Sequence, residues 1–304
     1  MNTITIGRDG PTSSRIVHGC MRLSGDGSRE AHRKAMTALE TAVESGINHF
    51  DHADIYGNGS CEMLFGEFLT SNPGLRDNLI ITSKCGIRSS DMPQKGDPRR
   101  YDLSASHIIN SVDGSLRRLR IERLDILLLH RPDHLMDPGE TAGAFERLHN
   151  AGKVSHFGVS NFSTSQVNML LKYSSYPLLI NQVEFNIHRI SPLNDGILDQ
   201  CIEKDISPQS WCPMGGVAYP AWGNTLTEHQ TGLIHAELEA QAERYECDKS
   251  MIILAWILRH PARILPITGT MSPDRIRNAV NSVDLPYSRN DWYSLLDARA
   301  GSLP

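Results

Sequence analysis

Asp51 and Tyr56 stand five residues apart where an apolar segment, Asn48-His49-Phe50, gives out. A carboxylate and a phenol placed like this are groups that move protons. An isolated phenol has a pKa of about 10, so a tyrosine that releases a proton near neutral pH needs a cation beside it. Lys84 is the candidate cation: it closes the apolar run Leu79-Ile80-Ile81-Thr82-Ser83 and would find its counter-charge in Asp51. The stretch Asp51 to Gly57 also reads as a strand end entering a turn, with a half-exposed tyrosine. His130 ends a third apolar run, Leu124 to Leu129, where a histidine serves either as a hydrogen-bonded core residue or as a member of the site.

Bringing these residues together requires elements that end side by side. Strand patterns fall at residues 15–20, 48–53, 79–84, 124–130, 154–160, 178–183, 206–212 and 264–267. Helical patterns fall between and after them at 29–45, 61–69, 105–119, 139–150, 163–173, 194–204, 235–245, 249–259 and 273–283. Eight strand-then-helix units favour a closed (β/α)8 TIM barrel over an open doubly wound sheet, with a short N-terminal β-hairpin around Ile4, Ile6 and Gly10-Pro11. A single domain over 1–304 is expected, because no low-complexity linker divides the chain. Barrel chemistry sits at the carboxyl ends of the strands, and Asp51, Lys84, His130, Ser160-Asn161, Gln182 and Trp211 all fall there. A dinucleotide fingerprint at Gly57-Asn58-Gly59 fails, since its third glycine position is Glu62.

With 304 residues, 39% hydrophobic and 21% charged, the composition is that of a globular protein, and a net charge of -5 offers no basic field for nucleic acid. A small-molecule partner is expected. The six cysteines (20, 61, 85, 201, 212 and 247) form no C-x-x-C pair, which suits reduced thiols in a cytosolic enzyme. His229 and His235, in or near the loop after strand seven, lack a third ligand at usable spacing, so no metal site is expected. No signal-peptide pattern opens the chain and no stretch approaches 18 uncharged apolar residues, giving the expectation of a cytoplasmic protein with no membrane partner.

Over nearly its whole length the sequence resembles the aldo-keto reductases, closest to the bacterial YdhF-like branch. Asp51-His52-Ala53-Asp54-Ile55-Tyr56-Gly57 resembles the family's D-T-A-x-x-Y-G, Ser83-Lys84 its strand-three lysine, and Leu128-Leu129-His130-Arg131-Pro132-Asp133 its L-L-H-x-P-D. Gly152 to Phe162 resembles G-K-(I/V)-R-x-x-G-V-S-N-F. The resemblance implies a catalytic tetrad of Asp51, Tyr56, Lys84 and His130, with Ser160, Asn161 and Gln182 on a nicotinamide carboxamide and Trp211 stacked on its ring. It implies that Cys212, Met214, Gly215 and Gly216 lie against the pyrophosphate, and that Gly269, Thr270, Ser272 and Arg275 take the adenosine 2'-phosphate. His52 replaces the usual threonine, Gly269 a lysine and Ala279 an asparagine; the last two remove polar contacts to the adenosine end.

The implied function is reversible, NADP(H)-dependent reduction of an aldehyde or ketone. Tyr56 is the general acid, Lys84 lowers its pKa, Asp51 fixes Lys84 and His130 orients the carbonyl. A slow-turnover regulatory barrel, like the potassium-channel β-subunits, and a Schiff-base aldolase using Lys84 are the competing functions. Tyr219, Trp222 and Trp292-Tyr293 line a substrate pocket or pack on the shell, while Asp54 and Arg131 support strand ends.

Overall fold

The computed structural model describes residues 2–215 and 226–301. An antiparallel hairpin opens the chain, β1 (Thr3–Thr5) with β2 (Thr12–Ser14). Just beyond β1, Ile6 packs with Ile80, Ile126, Leu128, Leu179 and Ile180, so this segment fills the amino-terminal end of the barrel.

The next strands are β3 (Val17–Gly19), β4 (His49–Asp51) and β5 (Ile80–Cys85), followed by a separate antiparallel pair, β6 (Ile87–Arg88) and β7 (Arg100–Tyr101). The series continues with β8 (Leu124–Leu129), β9 (Val154–Ser160), β10 (Leu178–Glu184), β11 (Ser207–Trp211) and β12 (Leu265–Thr268). Leaving out β1, β2, β6 and β7, each strand pairs in parallel with the next, and β12 returns to β3 to close the barrel. The unbroken burial of β5 and near-unbroken burial of β8 follow from this, since a closed parallel sheet is covered on both faces.

The shell comprises α1 (Arg29–Glu44), α2 (Ser60–Ser71), α3 (Ala105–Leu119), α4 (Pro138–Asn150), α5 (Thr164–Tyr173), α6 (Ile197–Glu203), α7 (Glu228–Arg244), α8 (Lys249–Leu258), α9 (Pro273–Asn281) and α10 (Arg289–Ala300). Their starts are encoded locally. Ser28, Ser104, Ser163 and Thr227 each accept from the backbone N–H three residues on, and Ser163/Gln166 and Thr227/Gln230 form complete capping boxes. Among the described residues no helix is long and apolar enough to cross a membrane.

The structure departs from the sequence reading in four places. The Thr227/Gln230 capping box starts α7 at Glu228, so His229 and His235 are helical residues and not loop histidines. Gly196, with φ of 81°, starts α6 at Ile197, a little later than Asn194. Between residues 86 and 101, where the sequence shows no strand pattern, the β6–β7 pair forms. The C-terminal tail contains α10, whose Trp292 stacks on Trp256 with ring centroids 5.2 Å apart. Each of these two indoles donates its N–H to the other residue's backbone carbonyl, so Trp292 belongs to the shell.

Candidate active site

The end of β4 buries a carboxylate and the neighbouring strand buries its counter-ion: Asp51 is 2% exposed and Lys84, on β5, 1%. Two isolated charges would pay a heavy desolvation cost there, but they are paired, with Lys84 Nζ 2.6 Å from Asp51 Oδ2. The ammonium has three hydrogens and no lone pair. Besides Asp51 it donates to the His52 carbonyl at 2.7 Å and to Tyr56 Oη at 3.1 Å. All three are therefore committed, and the phenol accepts from Lys84 while keeping its own O–H.

Tyr56 reaches this position from a 3-10 turn, Tyr56–Gly59, whose Gly57 and Asn58 have φ of 54° and 52°. The positive φ of Gly57 favours glycine there, and a side chain would also crowd the Ser60 and Ser24 hydroxyls. The turn is anchored from behind. Glu62 accepts from Ser83 Oγ at 2.6 Å and from Arg118 Nε at 2.7 Å, joining α2, the lysine strand and α3. Asp54, beside this group, has its carboxyl raised to about 7 by burial and by Glu62.

His130 follows β8 and meets Tyr56 edge-on, ring centroids 6.0 Å apart at 84°. Burial drives its pKa well below the ordinary value, and the positive charges of Lys84, Arg131 and Arg99 act in the same direction, so the imidazole is neutral. Tyr56 differs from the sequence expectation. Burial raises the phenol, Lys84 pulls it down by charge and hydrogen bond, and the net shift is upward because desolvation and Asp51 outweigh the lysine. Burial also disfavours the Lys84 ammonium, but Asp51 and Tyr56 reverse this and its pKa lies above normal.

On the opposite wall, Gln182 Nε2 donates to Asp51 Oδ1 at 2.9 Å and to Gln209 Oε1 at 3.0 Å. Ser160 Oγ donates to the Gln182 carbonyl at 2.9 Å, and Asn161 Nδ2 to Ser160 Oγ at 2.7 Å. Trp211 Nε1 donates to Asn161 Oδ1 at 2.9 Å, and the Arg131 guanidinium lies over the Trp211 ring, 5.4 Å from its centroid. Cys212, with φ of 50°, gives its carbonyl to Asn186 Nδ2 at 3.0 Å. Half-buried Met214 packs on the core, and Gly215 closes so near Asn186 that a Cβ would lie 2.4 Å from its Nδ2. Gly216, Tyr219 and Trp222 lie outside the described residues.

Gln209 is the site residue the sequence reading missed. It is fully buried and sits two positions before Trp211, hence on the same face of β11, and its register partner is Gln182. That alternation was the available signal.

The residues fit a nicotinamide dinucleotide. Gln182 Oε1 receives no hydrogen bond from the described residues, and the second amide hydrogen of Asn161 makes only a 3.5 Å contact with the His130 carbonyl. One acceptor and one weakly engaged donor suit a carboxamide. After β12, Ser272 starts α9 without a side-chain cap, leaving first-turn N–H groups for an anion beside exposed Arg275. Ser272 N donates to Thr270 Oγ1 at 3.2 Å, and a Cβ at Gly269 would press on the Gly19 carbonyl at 3.3 Å. Among the described residues no cluster of His, Cys, Asp or Glu could hold a metal.

The chain is 38% identical to the oxidoreductase YdhF of Escherichia coli K12, covering 98% of this chain and 97% of that one. It is 35% identical to the 6-dehydroglucose reductase of Agrobacterium fabrum C58, covering 95% of each. Its fold matches an aldo/keto reductase from Klebsiella pneumoniae, solved with NADP and acetate, at a TM-score of 0.79, 21% identity and coverage of 97% and 96%. The aldo/keto reductase family model matches residues 15–299, and with identities of this level over nearly the full length the chain belongs to that family of oxidoreductases.

Proposed function

We propose that the protein, as one catalytic domain over 1–304, reversibly reduces an aldehyde or ketone to the alcohol with NADPH, acting in the cytoplasm. The observation that carries this reading is the committed ammonium: with its three hydrogens on Asp51, His52 and Tyr56, Lys84 can only receive the phenol as an acceptor, and the Tyr56 proton is left for a carbonyl oxygen. NADPH supplies the hydride. Tyr56 donates its proton to the oxygen as charge develops there, and the fixed ammonium stabilises the phenolate that remains. Neutral His130 is a hydrogen-bond donor that aligns the carbonyl without offering a competing charge.

In this reading Ser160, Asn161 and Gln182 hold the carboxamide and Trp211 covers the nicotinamide. Cys212, Met214, Gly215 and Gly216 line the pyrophosphate, while Gly269, Thr270, Ser272 and Arg275 receive the 2'-phosphate. The NADP complex of the Klebsiella relative and the reductase name of the Agrobacterium relative support it. A Schiff-base aldolase needs a neutral, mobile amine, whereas Lys84 is fully engaged and its pKa is raised.

The test is substrate-dependent NADPH oxidation across a panel of aldehydes, ketones and quinones, run beside borohydride trapping without nicotinamide. Turnover of a carbonyl is expected. No turnover anywhere on the panel, or substrate trapped covalently on Lys84, overturns the reading.

A further inference from the structure

The rim of this end of the barrel carries positive charge that the tetrad does not explain. Arg131 directly follows His130, is half-buried, and lies over Trp211 at 5.4 Å. Arg99, just before β7, is exposed, and its charge reaches the same histidine. The acids of these segments are already engaged. Asp97 pairs with Arg100 and Asp102 with Arg88, while Asp133 accepts the backbone N–H groups of Leu103 and Leu135. At the end of β10, burial lifts the Glu184 carboxyl above its ordinary range, and Arg189 acts on it ahead of Arg131. Neither Arg99 nor Arg131 forms an ion pair among the described residues. In a chain of net charge -5, Arg131, which directly follows His130 and forms no ion pair among the described residues, brings a guanidinium to the end of the barrel where His130 meets Tyr56.

We propose that Arg131 forms an anion subsite beside the reacting carbonyl, so that the preferred substrate is an aldehyde or ketone bearing a carboxylate, phosphate or sulfonate. This rests on the reductase reading and specifies its substrate class. The planar guanidinium offers paired N–H donors to any of these groups. Its position against the Trp211 face reduces the screening that weakens fully exposed pairs.

The experiment compares kcat/KM within matched pairs: 4-oxobutanoate against its methyl ester, and glyceraldehyde 3-phosphate against glyceraldehyde. The wild type should favour the charged member of at least one pair by roughly 10- to 100-fold, as one charge-assisted contact allows. Arg131→Gln should bring that ratio close to one, and Arg131→Lys should retain some of it. A wild type that prefers the uncharged member of both pairs, or a ratio unchanged by Arg131→Gln, overturns the proposal. If no carbonyl is reduced, the reductase reading fails separately, and the subsite is judged by calorimetry with succinate against butanamide. Tighter succinate binding that Arg131→Gln abolishes supports it; equal binding of the two overturns it.

Discussion

Gln182 reaches across the barrel to Asp51. The two residues lie on β10 and β4, four strands apart whichever way the closed ring is counted, and Gln182 Nε2 is 2.9 Å from Asp51 Oδ1. The carboxylate that neutralises Lys84 is therefore also held by the residue assigned to the nicotinamide amide. Gln182→Met should lower kcat as well as NADPH affinity, each by about 10-fold or more, since the lost bond goes to a charged acceptor. A variant that changes affinity and leaves kcat intact would show that the cross-barrel bond has no part in turnover.

Tyr56→Phe removes one hydroxyl and leaves the ring in its turn. NADPH binding, followed by fluorescence quenching, should persist, while turnover falls roughly 100- to 10,000-fold, the usual range for a lost general acid. Turnover within a few-fold of wild type would take Tyr56 out of the acid role.

Lys84→Met leaves Asp51 buried without its cation, so it should lose both catalysis and stability, the latter by about 3–5 kcal/mol. Lys84→Arg keeps the charge but cannot place three donors in the same space, and it should be poor though better than Met at neutral pH. Wild-type rates in the Met variant would remove the lysine from the mechanism.

Acid should weaken the fold. Burial lowers His18 from 6.5 to about 4 and His49 from 6.5 to about 3. The unfolded chain takes up these protons first, so their contribution is present above about pH 6.5 and is lost as pH falls towards those folded values. Asp54 has the opposite sign. Raised from 3.8 to about 7, it favours the folded state below 3.8 and loses that contribution as pH rises through 7. Asp54→Asn should therefore add roughly 1–3 kcal/mol near pH 8, with the gain fading towards pH 4. Urea midpoints at the two ends of this range give the answer, and a pH-independent gain would contradict the assignment.

Arg275 stands on the first turn of α9, and Gly269 brings no second cation to the same place. NADPH should bind better than NADH by about one to two powers of ten, and Arg275→Ala should remove most of that advantage without changing NADH affinity. Equal losses for both cofactors would mean that Arg275 supports the fold or the adenine.

The sequence by itself determined the barrel and the strand ends at which most of the candidate residues fall, because both rest on local signals. Strand and helix periods, serine and threonine caps, and polar residues at the ends of apolar runs placed Asp51, Lys84, His130 and the Ser160-Asn161 pair at one end. The helix α10 was not legible: its register follows from the Trp256–Trp292 contact and not from an apolar stripe of its own. Nor was Gln209, which matters only once β10 and β11 are aligned so that it faces Gln182. The direction of the Tyr56 shift was decided by burial, a property of the closed barrel that no spacing encodes. The sequence could supply the lysine that pulls the phenol down, but only the packed structure sets how much water is excluded from it, and desolvation outweighs the lysine.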